Sequence, residues 1–180
     1  MIMVEKVIIA GAGGQGIMLL GRVMAEAAMR EGKFVTWLPA YGAEVRGGTA
    51  YCMVIISDSE ISSPYIDEAD SLIIMNEPSL AKFTSRLKNK GLLIVNTSLI
   101  NKEMDDKKFH ILKHPFTDKA IQLGNIRVAN MVALGCYIAK NKIVATKTVL
   151  KVIEDFAPKN KKELIGINQQ ALLAGGEPKW

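Results

Sequence analysis

The chain has 180 residues, of which 49% are apolar, enough to bury a sizeable core and suited to one domain over 1–180. No apolar run reaches the ~18–20 residues of a membrane span and no secretory leader precedes the first one, so a cytoplasmic protein with no membrane role is expected. The formal charge of +5, with lysines towards the C-terminal half and no aromatic residues interleaved, describes a solvated face rather than a nucleic-acid stripe.

The first predicted element is a strand at Val7-Ile8-Ile9-Ala10, apolar throughout, as a strand covered on both faces of a parallel sheet would be. It runs into Gly11-Ala12-Gly13-Gly14-Gln15-Gly16, which has the G-x-G-x-x-G spacing. Ile17, Leu20, Gly21, Met24 and Ala28 then recur at helix spacing, with Arg22, Glu26 and Arg30 on the opposite stripe and Gly32 at the C-terminal cap. Glycines let backbone N–H groups approach an anion, and the helix end adds partial positive charge. The unit is therefore either an anion site or a tight structural turn. An NAD site would also need an acidic residue after the next strand, Phe34–Leu38, but Pro39 and Ala40 stand there. The loop also lacks the Lys-Ser/Thr ending of a P-loop, which argues against nucleotide triphosphate hydrolysis.

The stretch between Leu38 and the apolar strand at 50–57 is short and broken by Pro39, Gly42, Gly47 and Gly48. A parallel crossover needs a dozen or more residues, usually helical, so this third strand is expected antiparallel to the second. Residues 57–70 read as a surface excursion. Ser71–Met75 is a buried strand, and Pro78 opens a helix with Leu80, Phe83 and Leu87 on one face. Asn76 either caps that helix or faces the ligand crevice. Gly91–Asn96 is the next strand, and it and the strand at 71–75 are expected to flank the first. That leaves Asn96, Thr97 and Ser79 as further candidates at the crevice.

Phe109–Pro115 is a last short strand, with His110 and His114 expected at the surface or in loops. The remainder is helical: one face carries Val128, Met131, Val132, Gly135 and Ile138, another Val149, Leu150, Ile153 and Phe156, and Asn160 with Glu163 resembles a capping box. The fold expected is a three-layer α/β, Rossmann-like sheet, mostly parallel with at least one antiparallel strand and helices on both faces. Cys52 and Cys136 lie in apolar surroundings without metal-type spacing and read as buried thiols. No nucleophile elbow, zincin helix or cysteine–histidine pair is present, so the chain reads as a binding domain without a catalytic group of its own.

Four stretches in order carry a resemblance: Gly11–Gly16, Tyr41-Gly42-Ala43-Glu44-Val45-Arg46-Gly47-Gly48-Thr49, Met75-Asn76-Glu77-Pro78-Ser79 and Arg127-Val128-Ala129-Asn130-Met131-Val132-Ala133-Leu134-Gly135. Along nearly its whole length the chain resembles the gamma subunit of 2-oxoacid:ferredoxin oxidoreductases, a family acting on 2-oxoglutarate, pyruvate or ketoisovalerate. The second stretch, with Ser57-Asp58 and Ser63-Pro64, is most similar to the 2-oxoglutarate branch, with Ala43 where a proline is expected.

The resemblance implies oxidative decarboxylation of a 2-oxoacid to acyl-CoA and carbon dioxide, with electrons passed to ferredoxin. It also implies partner alpha and beta subunits and a ferredoxin-like delta subunit, which hold thiamine diphosphate and iron–sulfur clusters. This chain would be inactive alone and would help bind coenzyme A, whose pyrophosphate needs no acidic ribose clamp. The residues assigned to that site are Gly11, Gly13, Gly14, Gln15, Gly16, Arg46 and Asn76; none is assigned to catalysis or a metal. Tyr41, Glu44 and Val45 are expected to contact partner chains. The competing class is a stand-alone dinucleotide-binding or regulatory module.

Overall fold

The computed structural model describes residues 3–40, 49–157 and 163–176. In chain order the elements are β1 (Val4–Ala12), α1 (Ile17–Arg30), β2 (Phe34–Ala40), β3 (Thr49–Ser57), β4 (Ala69–Ile74), α2 (Glu77–Phe83) and β5 (Leu87–Asn96). They continue with β6 (His110–His114), α3 (Phe116–Gln122), α4 (Ala129–Asn141), α5 (Thr146–Phe156) and α6 (Glu163–Gly175). The strands form a six-stranded sheet in the order β2-β3-β1-β4-β5-β6.

β3 is antiparallel to both its neighbours, β2 and β1, whereas β1, β4, β5 and β6 are mutually parallel. The short connection between β2 and β3 dictates this reversal, because the chain cannot cross the sheet within it. It also corrects one expectation. β4 lies beside β1, but β5 pairs with the far side of β4, because β3 occupies the other edge of β1.

The alternation of side chains along β1 separates two cores. Val7 and Ile9 point to one face, packed by residues of α1, α3, α4, α5 and α6, while Ile8 and Ala10 point to the other. That second face is covered by one short helix, α2, together with Ile66, Ile100 and Phe109 from connecting segments. Helices thus lie on both faces, but the layers are unequal. No helix among the described residues is long and apolar enough to cross a membrane.

One local expectation changes. Leu87 is the first residue of β5 rather than the last turn of α2, which ends at Phe83 and passes through a 3₁₀ turn at Thr84–Arg86. Leu80, Phe83 and Leu87 still share a core, so the spacing identified their burial but not their backbone. Elsewhere Gly32, at φ +78, follows α1 and accounts for its end, since this left-handed conformation is the one glycine adopts without strain.

α4 and α6 touch backbone to backbone. A Cβ on Gly135 would overlap the carbonyl oxygen of Leu172, and one on Gly175 would overlap that of Val132. Glycine at both positions is what lets the two helices reach this separation.

α4 is also fastened to the sheet at its far end. The Glu5 carboxylate oxygen Oε1 accepts hydrogen bonds from Ser71 Oγ (2.6 Å), Asn141 Nδ2 (2.7 Å) and Tyr137 Oη (3.1 Å). Burial lifts the Glu5 carboxyl above its ordinary value, with Asp70 adding to the rise against the lowering effect of its hydrogen bonds. The folded chain therefore holds this proton more tightly than the unfolded chain does. The stabilisation is complete below the ordinary value of 4.5 and lost as pH rises through the raised folded value. Glu5→Gln keeps an acceptor and should flatten this dependence. Urea unfolding at pH 4 and pH 7 is expected to give a smaller difference for the variant; equal differences would place the pH dependence elsewhere.

Candidate functional site

The C-terminal ends of the parallel strands bring the glycine loop together with the starts of α1 and α4. β1 pairs with β3 as far as Ala12–Thr49, and β2 with β3 as far as Ala40–Tyr51, so the segment 41–48 enters and leaves at this same edge. Arg46, Tyr41, Glu44 and Val45 lie outside the described residues.

The loop turns through a hydrogen bond from Gln15 N to Ala12 O (3.2 Å), with Gly14 at φ +92 and Gly16 at φ +72. A Cβ on Gly14 would meet nothing within 4 Å, so this glycine faces open space. Gly13 is exposed beside it. Gly11 differs: it lies within β1, and a Cβ there would stand 2.5 Å from Gln15 Oε1 and 2.9 Å from Met75 Cβ. Its role is close packing under the loop. Gln15 accepts from Ala12 N (2.7 Å) through Oε1 and donates from Nε2 to Met75 O (3.3 Å), so its side chain fastens the loop to β4.

Asn76 caps α2, its Oδ1 accepting from Ser79 N at 3.2 Å, and Pro78 stands in the first turn. Asn76→Ala should therefore destabilise the fold by about 1 kcal/mol, and Asn76→Ser by less. Chemical denaturation reads this loss. If Asn76 only caps, this loss of stability is the whole effect of either variant. Asn96, also a candidate, is a buried brace: Nδ2 donates to Met75 O (3.2 Å) and to Thr117 Oγ1 (2.9 Å), and Oδ1 accepts from Thr117 N (3.3 Å). Ser79 is buried and Thr97 N donates to His114 O at 3.0 Å.

His114 is not at the surface as expected. It is buried at the end of β6, stacked on Phe116 with centroids 5.2 Å apart. Burial and the nearby Lys119 push its pKa down, which favours the neutral ring. His110 is exposed. Burial raises the thiol of Cys52 to about 12 and that of Cys136 to about 11, so both stay protonated.

A cavity of about 210 Å³ opens beside the loop, lined by Gly14, Gln15, Met75, Thr117 and Arg127, with Leu99 and Ile126 at its rim. Two long helices begin next to it. α1 has no side-chain cap on its first N–H groups, whereas the start of α4 is already met by Ile126 O and by Asn130 Oδ1, and neither helix has an acidic residue in its first turn. Uncapped helix starts carry unsatisfied donors and partial positive charge. Arg127, in the 3₁₀ turn leading into α4, adds a full charge at the end where a helix disfavours a cation. The arrangement is suited to an anion, and the described residues lining it include no general acid or base.

Arg127, Thr117 and Asn130 were not among the residues assigned to the site from the sequence. Asn125-Ile126-Arg127 carried a usable sign: a capping Asn, whose Oδ1 accepts from Arg127 N, followed by a cation in the first turn.

Comparison with known proteins adds the following. Residues 6–177 match the model of the pyruvate ferredoxin/flavodoxin oxidoreductase family. The chain is 35% identical over 185 residues to 2-oxoglutarate synthase subunit KorC of Methanothermobacter thermautotrophicus, covering 98% of this chain and 96% of that one. It is 33% identical over 172 residues to ketoisovalerate oxidoreductase subunit VorA of the same organism, but spans only 36% of that relative's length. Among solved structures it is similar to the gamma subunit of a keto/oxoacid ferredoxin oxidoreductase from Geobacter sulfurreducens, with TM-score 0.81, 30% identity and 96% of each chain covered.

Proposed function

We propose, from the premise that this chain belongs to the pyruvate ferredoxin/flavodoxin oxidoreductase family, that it is the gamma component of a 2-oxoacid:ferredoxin oxidoreductase and supplies part of the coenzyme A site. The complex oxidatively decarboxylates a 2-oxoacid, joins the acyl group to coenzyme A and passes the electrons to ferredoxin. The similarity to KorC over nearly the full length of both chains supports 2-oxoglutarate as the acid. Thiamine diphosphate and the iron–sulfur clusters belong to the partner alpha, beta and delta chains, and this chain is inactive without them.

One observation carries the coenzyme A reading: the uncapped start of α1, an open positive-φ glycine and Arg127 meet at one cavity with no acidic side chain among its lining residues. The cavity suits a phosphate group rather than the whole cofactor, and the rim residues Leu99 and Ile126 continue it with apolar surface. Arg127 would bind the pyrophosphate as a fork of hydrogen-bond donors, with the backbone N–H groups of the loop approaching from the other side. Arg46 joins this reading as a second cation on the segment that starts and ends at the same edge.

The test is assembly with the thiamine-diphosphate and ferredoxin-type chains, followed by viologen reduction with 2-oxoglutarate and coenzyme A. The complex is expected to be active and this chain alone silent. Arg127→Ala should raise the KM for coenzyme A about tenfold while leaving the KM for the 2-oxoacid unchanged, in line with loss of a charge-assisted hydrogen bond. An unchanged coenzyme A KM would move the site away from this cavity. Micromolar binding of NAD or FAD by the chain alone would favour a dinucleotide-sensing module instead.

A further inference from the structure

Most helix starts are fixed by a side chain that accepts from their free N–H groups, which also hides those groups from any ligand. α1 is fixed differently. Its N-cap residue is Gly16, which has no side chain, and the end is held from behind through the Gly16 carbonyl. That oxygen accepts from Leu20 N at 3.0 Å, the first bond of the helix, and also from Asn130 Nδ2 at 3.1 Å. Asn130 is 2% exposed and stands in the first turn of α4, 114 positions along the chain. Its other polar atom, Oδ1, accepts from Met131 N at 2.9 Å. The contact is close enough that a Cβ on Gly16 would overlap the carboxamide of Asn130.

We infer that Asn130 is a positioning residue for the anion site: it locks the start of α1 to the start of α4 through a carbonyl, leaving the N–H groups of α1 available to a phosphate. The inference rests on the coenzyme A reading above. Asn130 does not line the cavity, and its effect passes through Gly16 and the two helix ends it joins. An amide is required for this role. A carboxylate of the same shape would set an acceptor against the Gly16 carbonyl and bring negative charge towards a phosphate.

Three variants of the full chain test it: Asn130→Ala, Asn130→Asp and Asn130→Ser, whose short hydroxyl falls short of Gly16 yet keeps a polar group near Met131 N. Each is titrated with inorganic pyrophosphate, following the Gly14 and Gly16 amides by NMR, and with coenzyme A in the assembled complex. Asn130→Ala and Asn130→Ser should weaken both ligands about five- to tenfold, as expected for one lost hydrogen bond, and Asn130→Asp by more. The KM for the 2-oxoacid and kcat at saturating coenzyme A should hold, a split that a merely structural role would not produce. Wild-type binding with unchanged affinity in folded variants overturns the role of Asn130 and leaves the site in place. Failure of the wild type to bind coenzyme A in the complex overturns the reading itself, and the inference with it.

Discussion

Gly135→Ala is expected to lower stability by about 2 kcal/mol, and Gly135→Val by more, through loss of the α4–α6 contact. Two effects oppose each other here. In an exposed helix, glycine to alanine stabilises by about 1 kcal/mol through helix propensity. At Gly135 the added methyl meets the Leu172 carbonyl oxygen, a backbone atom in the last turn of another helix that no rotamer change can move aside. Overpacking of a tight site costs about 1–3 kcal/mol, occasionally more, and with a rigid neighbour the upper part of that range outweighs the propensity gain. For a chain of this size each kcal/mol moves Tm by about 2–4 °C. A thermal melt should therefore fall by about 4–8 °C for the alanine variant. Gly175→Ala meets the Val132 carbonyl in the same crossing, so the double variant should lose less than the sum of the two singles. A melt at or above the wild-type value for Gly135→Ala would mean that the helices can separate without loss.

The second large effect is expected at Gly14. Gly14→Val combines a β-branched side chain with φ +92, a conformation that costs an L-residue about 1–2 kcal/mol. No protein atom lies within 4 Å of the new Cβ, so the fold should lose only that conformational cost. The side chain would instead project into the space assigned to the phosphate, and the coenzyme A KM of the complex should rise by tenfold or more. Gly16→Val should damage both properties, because its Cβ also overlaps Asn130. The contrast between the two variants separates occupancy of a ligand site from disruption of the loop. Equal loss of stability and of affinity in both would leave the glycine cluster a structural turn.

Much of the architecture was legible because it depends on neighbours in the chain. The strand–glycine–helix unit, the end of α1 at Gly32 and the reversal of β3 follow from local spacing and from the length of one connection. What escaped was cross-chain. Nothing near Asn130 in the sequence announces that it reaches Gly16, and Gly135 gives no hint that Gly175 faces it. The motif also treats Gly11 and Gln15 alike, although only Gln15 lines the cavity. In three dimensions Gly11 makes room for Met75, and Gln15 ties the loop down. The thin second layer was also hidden, since connecting segments such as 97–109 supply Ile100 and Phe109 to the core without helical periodicity. His114 looked solvent-facing because its partner in the stack, Phe116, sits beyond a proline that interrupts the pattern.

The placement of β3 bears on how the molecule can be built during synthesis. Residues 4–57 contain a three-stranded antiparallel sheet, β2-β3-β1, with α1 packed on it, and all of its pairings lie within the first third of the chain. The later strands then join on one side only, β4 against β1, β5 against β4 and β6 against β5, in the order in which they are made. No strand has to wedge between two that are already paired. Each addition extends the sheet at one edge while β2 stays at the other, and β6, the last and shortest strand, ends the series as that second edge. A nascent chain following this order forms its long-range pairings one at a time, which limits the exposure of unpaired strand to other chains.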